Sequence, residues 1–317
     1  MNITLLNLHP APEDLQRVVQ DGMRRNPRQL PAWMLYDAEG SRLFAEICRQ
    51  PEYTLTQREI SLLEQNADAI ADATGPGMVV EFGIGNAGKV DPLLTALGSS
   101  VFAALDISLS ALREALSGLA ARHPITTMVG ICCDHTRLQQ LPQHPALEGQ
   151  RRIGFFPGSS LGNFTPEEAV DFLRNARELL AGGPLLLGLD QPREPALMEA
   201  AYDDSAGVSA AFALNLLQRL NLELEGDIDP TQFRYQACWQ SEHQRIEMAL
   251  VSTQDNTWHL AGDSWFFRKG EVWITEHSVK YSQDAATTLA TQAGWRMERS
   301  WTDSNQQIGL HLLLPAN

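Results

Sequence analysis

The sequence predicts an α/β protein built on a doubly wound, mostly parallel sheet, and three observations carry that prediction. Short apolar runs alternate with helical stretches from about residue 60 to 190. The runs are apolar nearly throughout, as strands covered on both faces must be. The first of them, Met78 to Phe82, stops at the glycine-rich loop Gly83-Ile84-Gly85-Asn86-Ala87-Gly88-Lys89, the strand-to-helix turn at which open parallel sheets hold ligands.

The expected strands are Met78 to Phe82, Val101 to Leu105, Thr126 to Ile131, Arg152 to Phe156 and Pro184 to Leu189. Helical patterns lie between them, at Leu109 to Arg122 and at Pro166 to Ala181. The second opens with Thr165 as N-cap, Pro166 in the first turn and Glu167-Glu168 against the helix dipole. After residue 200 the pattern changes to alternation, in Phe233 to Trp239, Arg245 to Ser252, Thr257 to Leu260 and Glu271 to Tyr281, as in antiparallel strands. A helix from Ser282 to Ala293 and strands at Trp295 to Trp301 and Leu310 to Leu314 complete the parallel sheet. The expected division is a nucleotide-binding domain, 57–195 plus 281–317, and a second, α+β domain, 8–56 plus 196–280. The segment before residue 57 is expected to precede the first strand and to carry helices of its own.

Composition narrows the function. A chain of 317 residues with 44% hydrophobic content can bury a sizeable core. Its formal net charge of −15 repels phosphate backbones and anionic membranes, so neither nucleic acid nor a membrane is an expected partner. No apolar run approaches the roughly 20 residues of a membrane span, and Met1 to Leu6 lacks the basic and apolar regions of a signal peptide. Cys48, Cys132, Cys133 and Cys238 form no C-x-x-C pair, which fits reduced thiols and a cytoplasmic location. Neither an H-E-x-x-H pattern nor a Cys/His cluster at zinc spacing occurs, so no metal is expected. The absence of a G-x-S-x-G elbow and of a G-x-x-x-x-G-K-[ST] loop disfavours triad hydrolysis and P-loop chemistry.

Gly83, Gly85 and Gly88 satisfy G-x-G-x-x-G, and Asp106, closing the next strand, stands where an acid can hold ribose hydroxyls. The same geometry serves S-adenosylmethionine (SAM) enzymes, whose acid-then-G-x-G-x-G pattern fits Glu81, Gly83 and Gly85 but finds Ala87 in place of a third glycine. On the loop alone, SAM, a dinucleotide and a structural glycine turn all remain open.

Other segments could carry chemistry. Gly158, Ser159, Ser160, Gly162 and Asn163 crowd the carboxyl end of the fourth strand, either as a polar turn or as a ligand rim. Tyr36-Asp37, Phe44 and Pro51-Glu52-Tyr53 form an aromatic group that is either core or pocket. In Tyr202-Asp203-Asp204-Ser205-Ala206-Gly207-Val208 the acids could simply cap a helix. In Thr275-Glu276-His277-Ser278-Val279-Lys280, Glu276 and Ser278 share one strand face with His277 on the other, a pattern most often solvated. Met248 reads by default as core.

Together with Trp33-Met34-Leu35-Tyr36-Asp37 and Arg245-Ile246-Glu247-Met248, these segments resemble the bacterial L-histidine Nα-methyltransferases of ergothioneine biosynthesis, from about residue 20 to the C-terminus. The resemblance implies a Rossmann-like SAM-dependent methyltransferase sheet with an amino-acid-binding second domain. It implies trimethylation of L-histidine to hercynine, with SAM as co-substrate. The oligomeric state stays open, with a monomer favoured. Tyr53, Gly83, Lys89, Asp106 and Asp134 would form the SAM side, with Asp134 by the adenine. Phe44, Gly158, Ser160, Asn163 and Tyr202 would hold the amino acid, with Met248, Glu276 and Ser278 around the imidazole. Asn163 and Tyr36 would be catalytic, Asn163 by orienting the amine and Tyr36 as a nearby phenol. Aromatic faces of Phe44 and Tyr36 would meet the cationic product. Two positions depart from the family: its loop commonly reads Gly-Ser-Gly-Thr-Ser-Glu-Lys, and Ser160 stands for a usual threonine, keeping the hydroxyl. A related Nα-methyltransferase for tryptophan, an NAD-dependent oxidoreductase and a non-catalytic SAM or amino-acid sensor are the competing readings.

Overall fold

The chain alternates strand and helix as far as residue 190, turns to antiparallel strands, and then returns to finish the first sheet. A computed structural model describes residues 3–8, 14–85 and 87–316. Asn86, one of the loop positions that depart from the family, lies outside the described residues. In chain order the first elements are β1 (Ile3–Asn7), α1 (Leu15–Met23), β2 (Arg28–Gln29), α2 (Ala38–Ile47), α3 (Leu55–Thr74) and β3 (Met78–Phe82). Next come α4 (Asp91–Leu97), β4 (Val101–Asp106), α5 (Leu109–Arg122), β5 (Thr127–Cys132), β6 (Arg152–Phe156), α6 (Pro166–Leu179) and β7 (Leu185–Asp190). They are followed by α7 (Pro195–Tyr202), α8 (Val208–Leu224), β8 (Phe233–Gln240), β9 (Arg245–Ser252), β10 (Asn256–Leu260), β11 (Asp263–Phe267) and β12 (Val272–Val279). The chain ends in α9 (Gln283–Gln292), β13 (Trp295–Thr302) and β14 (Ile308–Pro315).

Two compact units divide these elements. The first comprises the described residues of Met1–Pro10, Leu55–Gln191 and Tyr281–Asn317; the second comprises those of Ala11–Thr54 and Pro192–Lys280. Among the described residues, no helix is long and apolar enough to cross a membrane.

The first unit holds an eight-stranded sheet of order β1-β5-β4-β3-β6-β7-β14-β13. Strands β1 and β3 to β7 pair in parallel, whereas β14 runs antiparallel between β7 and β13. From β3 the chain builds outward through β4 and β5, then jumps back to β6 on the other side. That reversal puts the carboxyl ends of β3 and β6 at a topological switch point, where doubly wound sheets open their ligand crevice. Every side chain of β3 and β7 is buried, which is why these runs carry no polar alternation. The one unforeseen strand here is β1, which covers the sheet edge beside β5 with Leu5 opposite Gly130. A Cβ at Gly130 would fall 2.6 Å from the Leu5 side chain, so the glycine admits this edge strand. Helix α6 begins with a full capping box, Thr165 and Glu168 each accepting the other's backbone N–H.

The second unit is α+β, its four-stranded sheet ordered β2-β12-β9-β8 beside a β10-β11 hairpin. Trp273 and Phe267 are fully buried, their ring centroids 5.7 Å apart, and Phe233 packs on both. The Arg28 guanidinium lies 4.4 Å from the Phe267 centroid and pairs with Glu271 at 2.7 Å, closing that end of the unit.

Replacing the α6 cap tests the local account. Thr165→Ala is expected to cost about 1 kcal/mol of stability, read as a lowered midpoint in urea unfolding; an unchanged midpoint would show that the capping box does not hold the start of α6.

Candidate active site

In the first unit three loops converge at the switch point. Gly83 begins the glycine loop with φ 75°, a left-handed conformation that favours glycine, and a Cβ there would come within 3.8 Å of the His135 ring. Asp106, at the end of β4, accepts the Ile84 N–H at 3.0 Å and the Ser108 N–H at 2.8 Å. An ionised carboxylate has about four acceptor positions, so acceptor capacity remains for a ligand's hydroxyl. Asp134, two residues past β5, accepts the Thr136 N–H at 3.0 Å and its hydroxyl at 2.6 Å, which fixes the turn that carries it. His135 beside it packs edge-on to Phe82, Phe156 and Phe172, and burial holds its imidazole below the usual range, in the neutral form.

The sequence reading did not find Glu59, on α3, which ties these loops together. Its fully buried carboxylate accepts the Gly158 N–H at 2.8 and 2.9 Å and pairs with the Lys89 ammonium at 2.8 Å. A polar residue on a helix gives no sequence signal for such a role. Gly158 has φ 79°, and a Cβ there would lie 2.8 Å from Lys89 Nζ, so the loop after β6 packs directly against the lysine. That loop continues as a short 3-10 turn, Ser160–Asn163, with Ser160 exposed and its hydroxyl donating to the Pro157 carbonyl at 3.1 Å. Glu81, on β3, is fully buried, and both its carboxylate oxygens lack a hydrogen-bond partner among the described residues. Burial pushes its carboxyl well above the usual range, against the pull of the Lys89 ammonium. An orphaned acid beside an open glycine loop, with Asp106 retaining acceptor capacity, suits a ligand bearing both N–H donors and a diol, as SAM does.

The second unit assembles an aromatic and polar group. Asp37 caps α2 by accepting the Gly40 N–H at 2.7 Å and holds Asn215 of α8 at 2.8 Å, which fixes the preceding Tyr36. The Tyr36 ring meets Phe44 at 5.6 Å and Phe212 at 5.4 Å. Phe44 meets Tyr53 at 6.4 Å, and Tyr53 meets Tyr202 at 5.8 Å, all edge-to-face. Tyr53, expected on the SAM side, therefore belongs to the same ring chain as the expected amino-acid residues.

Strand β12 supplies the polar residues. Glu276 stands opposite Met248 in the antiparallel register and Ser278 opposite Ile246, after an irregularity between Ile274 and Glu276. The interior of β12 is buried on both faces, so the solvated reading of this strand does not hold. Met248 packs with Met198, Ala237 and Ile246, against Tyr202, Tyr235 and Trp239. Ser278 Oγ lies 3.0 Å from the Tyr202 hydroxyl, and the Tyr235 hydroxyl donates to the Tyr202 carbonyl at 2.6 Å. Burial lifts the Glu276 carboxyl from 4.5 to about 8, opposed by the Lys280 charge and a hydrogen bond with Tyr36. Burial and the Glu276 charge in turn hold the Tyr36 phenol well above its usual range, so it stays protonated. The acids after Tyr202 do what a simple cap requires, Asp204 accepting the Val208 and Ser209 N–H groups at 2.9 and 2.7 Å. Among the described residues, no group of three or more His, Cys, Asp or Glu could hold a metal ion.

Two outcomes test this electrostatics. Lys89→Met leaves the Glu59 carboxylate buried without its cation and is expected to cost about 3–5 kcal/mol, measured by urea unfolding; a loss under about 1 kcal/mol would contradict the pairing. Because folding raises the Glu276 pKa, the folded chain holds the extra proton between the two values. Its contribution is fully present below pH 4.5 and is lost as pH rises through about 8. Glu276→Gln should flatten that part of the stability profile, and a parallel profile would refute it.

Comparison with known proteins identifies the family. Residues 15–315 match the family described as histidine-specific methyltransferase, SAM-dependent. The chain is 35% identical to histidine N-alpha-methyltransferase of Mycolicibacterium smegmatis, covering 95% of each chain. It is 34% identical to the Mycobacterium tuberculosis protein of the same name, covering 94% of each. It is 31% identical to ergothioneine biosynthesis protein 1 of Neurospora crassa, covering 90% of this chain and 33% of that one. With this breadth of match, the chain belongs to the histidine-specific, SAM-dependent methyltransferase family.

Proposed function

We propose that this chain trimethylates the α-nitrogen of L-histidine with SAM, forming hercynine for ergothioneine biosynthesis. The observation that carries the reading is the pair Glu276 and Ser278, buried on β12 with Met248 opposite Glu276. A carboxyl group and a hydroxyl two residues apart on one face match the two nitrogens of an imidazole. A site that hydrogen-bonds a polar ring discriminates against an apolar one, whose binding would leave buried groups unpaired.

SAM supplies, when bound, a methyl group already activated as an electrophile. The protein's task is then mainly to position the amine. We assign the SAM-holding role to Gly83, Lys89, Asp106, Asp134 and Tyr53. We assign Asn163 to accept a hydrogen bond from the amine and aim its lone pair, and Gly158, Ser160 and Tyr202 to hold the carboxylate end. The Tyr36 phenol, kept protonated by burial, donates a hydrogen bond and does not act as a base, so the ammonium proton leaves to water. The ring faces of Tyr36 and Phe44 accommodate the quaternary ammonium by cation–π attraction. The free thiols of all four cysteines suit the reducing cytosol, and we read the enzyme as a monomer there.

Incubation with SAM and single amino acids, followed by mass spectrometry, tests the assignment. Three successive methyl additions on histidine are expected, with Glu276→Ala losing at least about tenfold in kcat/KM for histidine while its preference over tryptophan shrinks. Binding of both ligands without product would make the chain a sensor, and unaltered histidine kinetics in Glu276→Ala would remove that residue from the site.

A further inference from the structure

One buried charge has no part in the reaction as assigned. Lys280 follows β12 directly and is 2% exposed. Its Nζ lies 2.6 Å from the Tyr202 hydroxyl and 2.8 Å from Ser278 Oγ, and 4.5 Å from the centre of the Tyr202 ring. The two hydroxyls are themselves 3.0 Å apart, so ammonium, phenol and serine form a closed triangle.

The direction of each hydrogen bond follows from what these groups can do. An ammonium has only donors, so both hydroxyl oxygens must accept from Lys280. Each hydroxyl then keeps its single proton, and at most one is used between them. What the pair presents to a ligand is therefore an O–H donor. Two residues before Ser278, on the same strand face, Glu276 presents the opposite polarity, a carboxyl oxygen that accepts in either protonation state. A neutral imidazole carries one N–H and one bare nitrogen, the complement of that pair; an indole carries an N–H alone.

We propose that Lys280 is a specificity-determining positioning residue: by occupying the acceptor side of Ser278 and Tyr202 it makes Ser278 donate to the bare ring nitrogen, beside the Glu276 that accepts the ring N–H. The inference rests on the histidine reading above. The lysine charge also draws the Glu276 carboxyl down against burial, so its loss weakens the acceptor as well as the donor. A lysine that merely filled space would do neither.

Steady-state kinetics of Lys280→Met with histidine and tryptophan test it. The histidine KM is expected to rise about tenfold or more, with kcat changed by less than about threefold and the histidine preference reduced in step. SAM affinity by calorimetry should stay unchanged. In a Ser278→Ala background the same substitution should add less than about twofold, because the two side chains act as one unit. An unchanged KM, or a full tenfold effect persisting without the serine hydroxyl, overturns the proposal. If Lys280→Met does not fold, Lys280→Gln keeps N–H donors and should hold the histidine KM within about threefold; a glutamine enzyme as impaired as Ser278→Ala overturns the donor argument. Wild-type protein that yields no methylated histidine removes the histidine reading and this role together, whereas active wild type with an unaffected Lys280→Met removes only the role of Lys280.

Discussion

The first unit depends on one buried ion pair. Glu59 projects from α3 and holds both the Lys89 ammonium, at the end of the glycine loop, and the Gly158 N–H, at the start of the loop after β6. These are the two strand ends that flank the topological switch point, so a single carboxylate sets the spacing of the crevice. The arrangement also explains two glycines. A Cβ at Gly188 would fall 2.0 Å from Glu59 Oε1, and one at Gly158 would fall 2.8 Å from Lys89 Nζ. Desolvating a carboxylate and an ammonium is costly, and the Coulombic return offsets that cost only with good geometry and further hydrogen bonds. Here the backbone N–H supplies the additional bond. The pair is better understood as a device for fixing two loops than as a source of net stability.

The second unit handles burial of charge differently. Glu276 and Lys280 lie on or just past one strand, each mostly removed from water. The acid is raised by desolvation and lowered by the lysine, and the outcome near neutrality reflects the balance of the two. Packing against apolar residues alone would stabilise β12 more simply. A strand that instead carries an acid and a hydroxyl in its interior, with an ammonium just past its end, gives up stability, as functional sites commonly do.

Much of this was legible in the sequence. Apolar runs located β3 to β7 within a residue or two at each end, because strands buried on both faces cannot hide their composition. The Thr165 cap was readable because capping is local chemistry. Strand β1 was not, since its partner lies more than a hundred residues on and pairing across that distance leaves no local pattern. The two-residue β2 was too short to register, and the hairpin partner β11 was missed although it is as long as β10. For the site, residue identities came from motif resemblance, whereas Glu59 escaped notice and Lys280, inside a quoted segment, was given no role: a glutamate on a helix and a lysine on an alternating strand both look like solvated positions. Only tertiary burial separates such residues from their surface counterparts.

The protonation states narrow what chemistry the second unit can do. Tyr36 is held protonated first by burial and further by Glu276, the group proposed to read the ring. Surroundings that would suit recognition thus disfavour base catalysis by this phenol. The conflict disappears when the acceptor is an amine, whose proton is lost readily to water and whose attack on an activated methyl needs orientation more than basicity. Each methyl added also reduces the hydration of the ammonium, which shifts its balance from water toward ring faces. An edge-to-face chain running from Tyr36 through Phe44 and Tyr53 to Tyr202 is suited to that shift. In the proposed reaction it would hold a soft cation by its π-faces with no counter-charge required, so the same surface would serve an ammonium carrying any number of methyl groups.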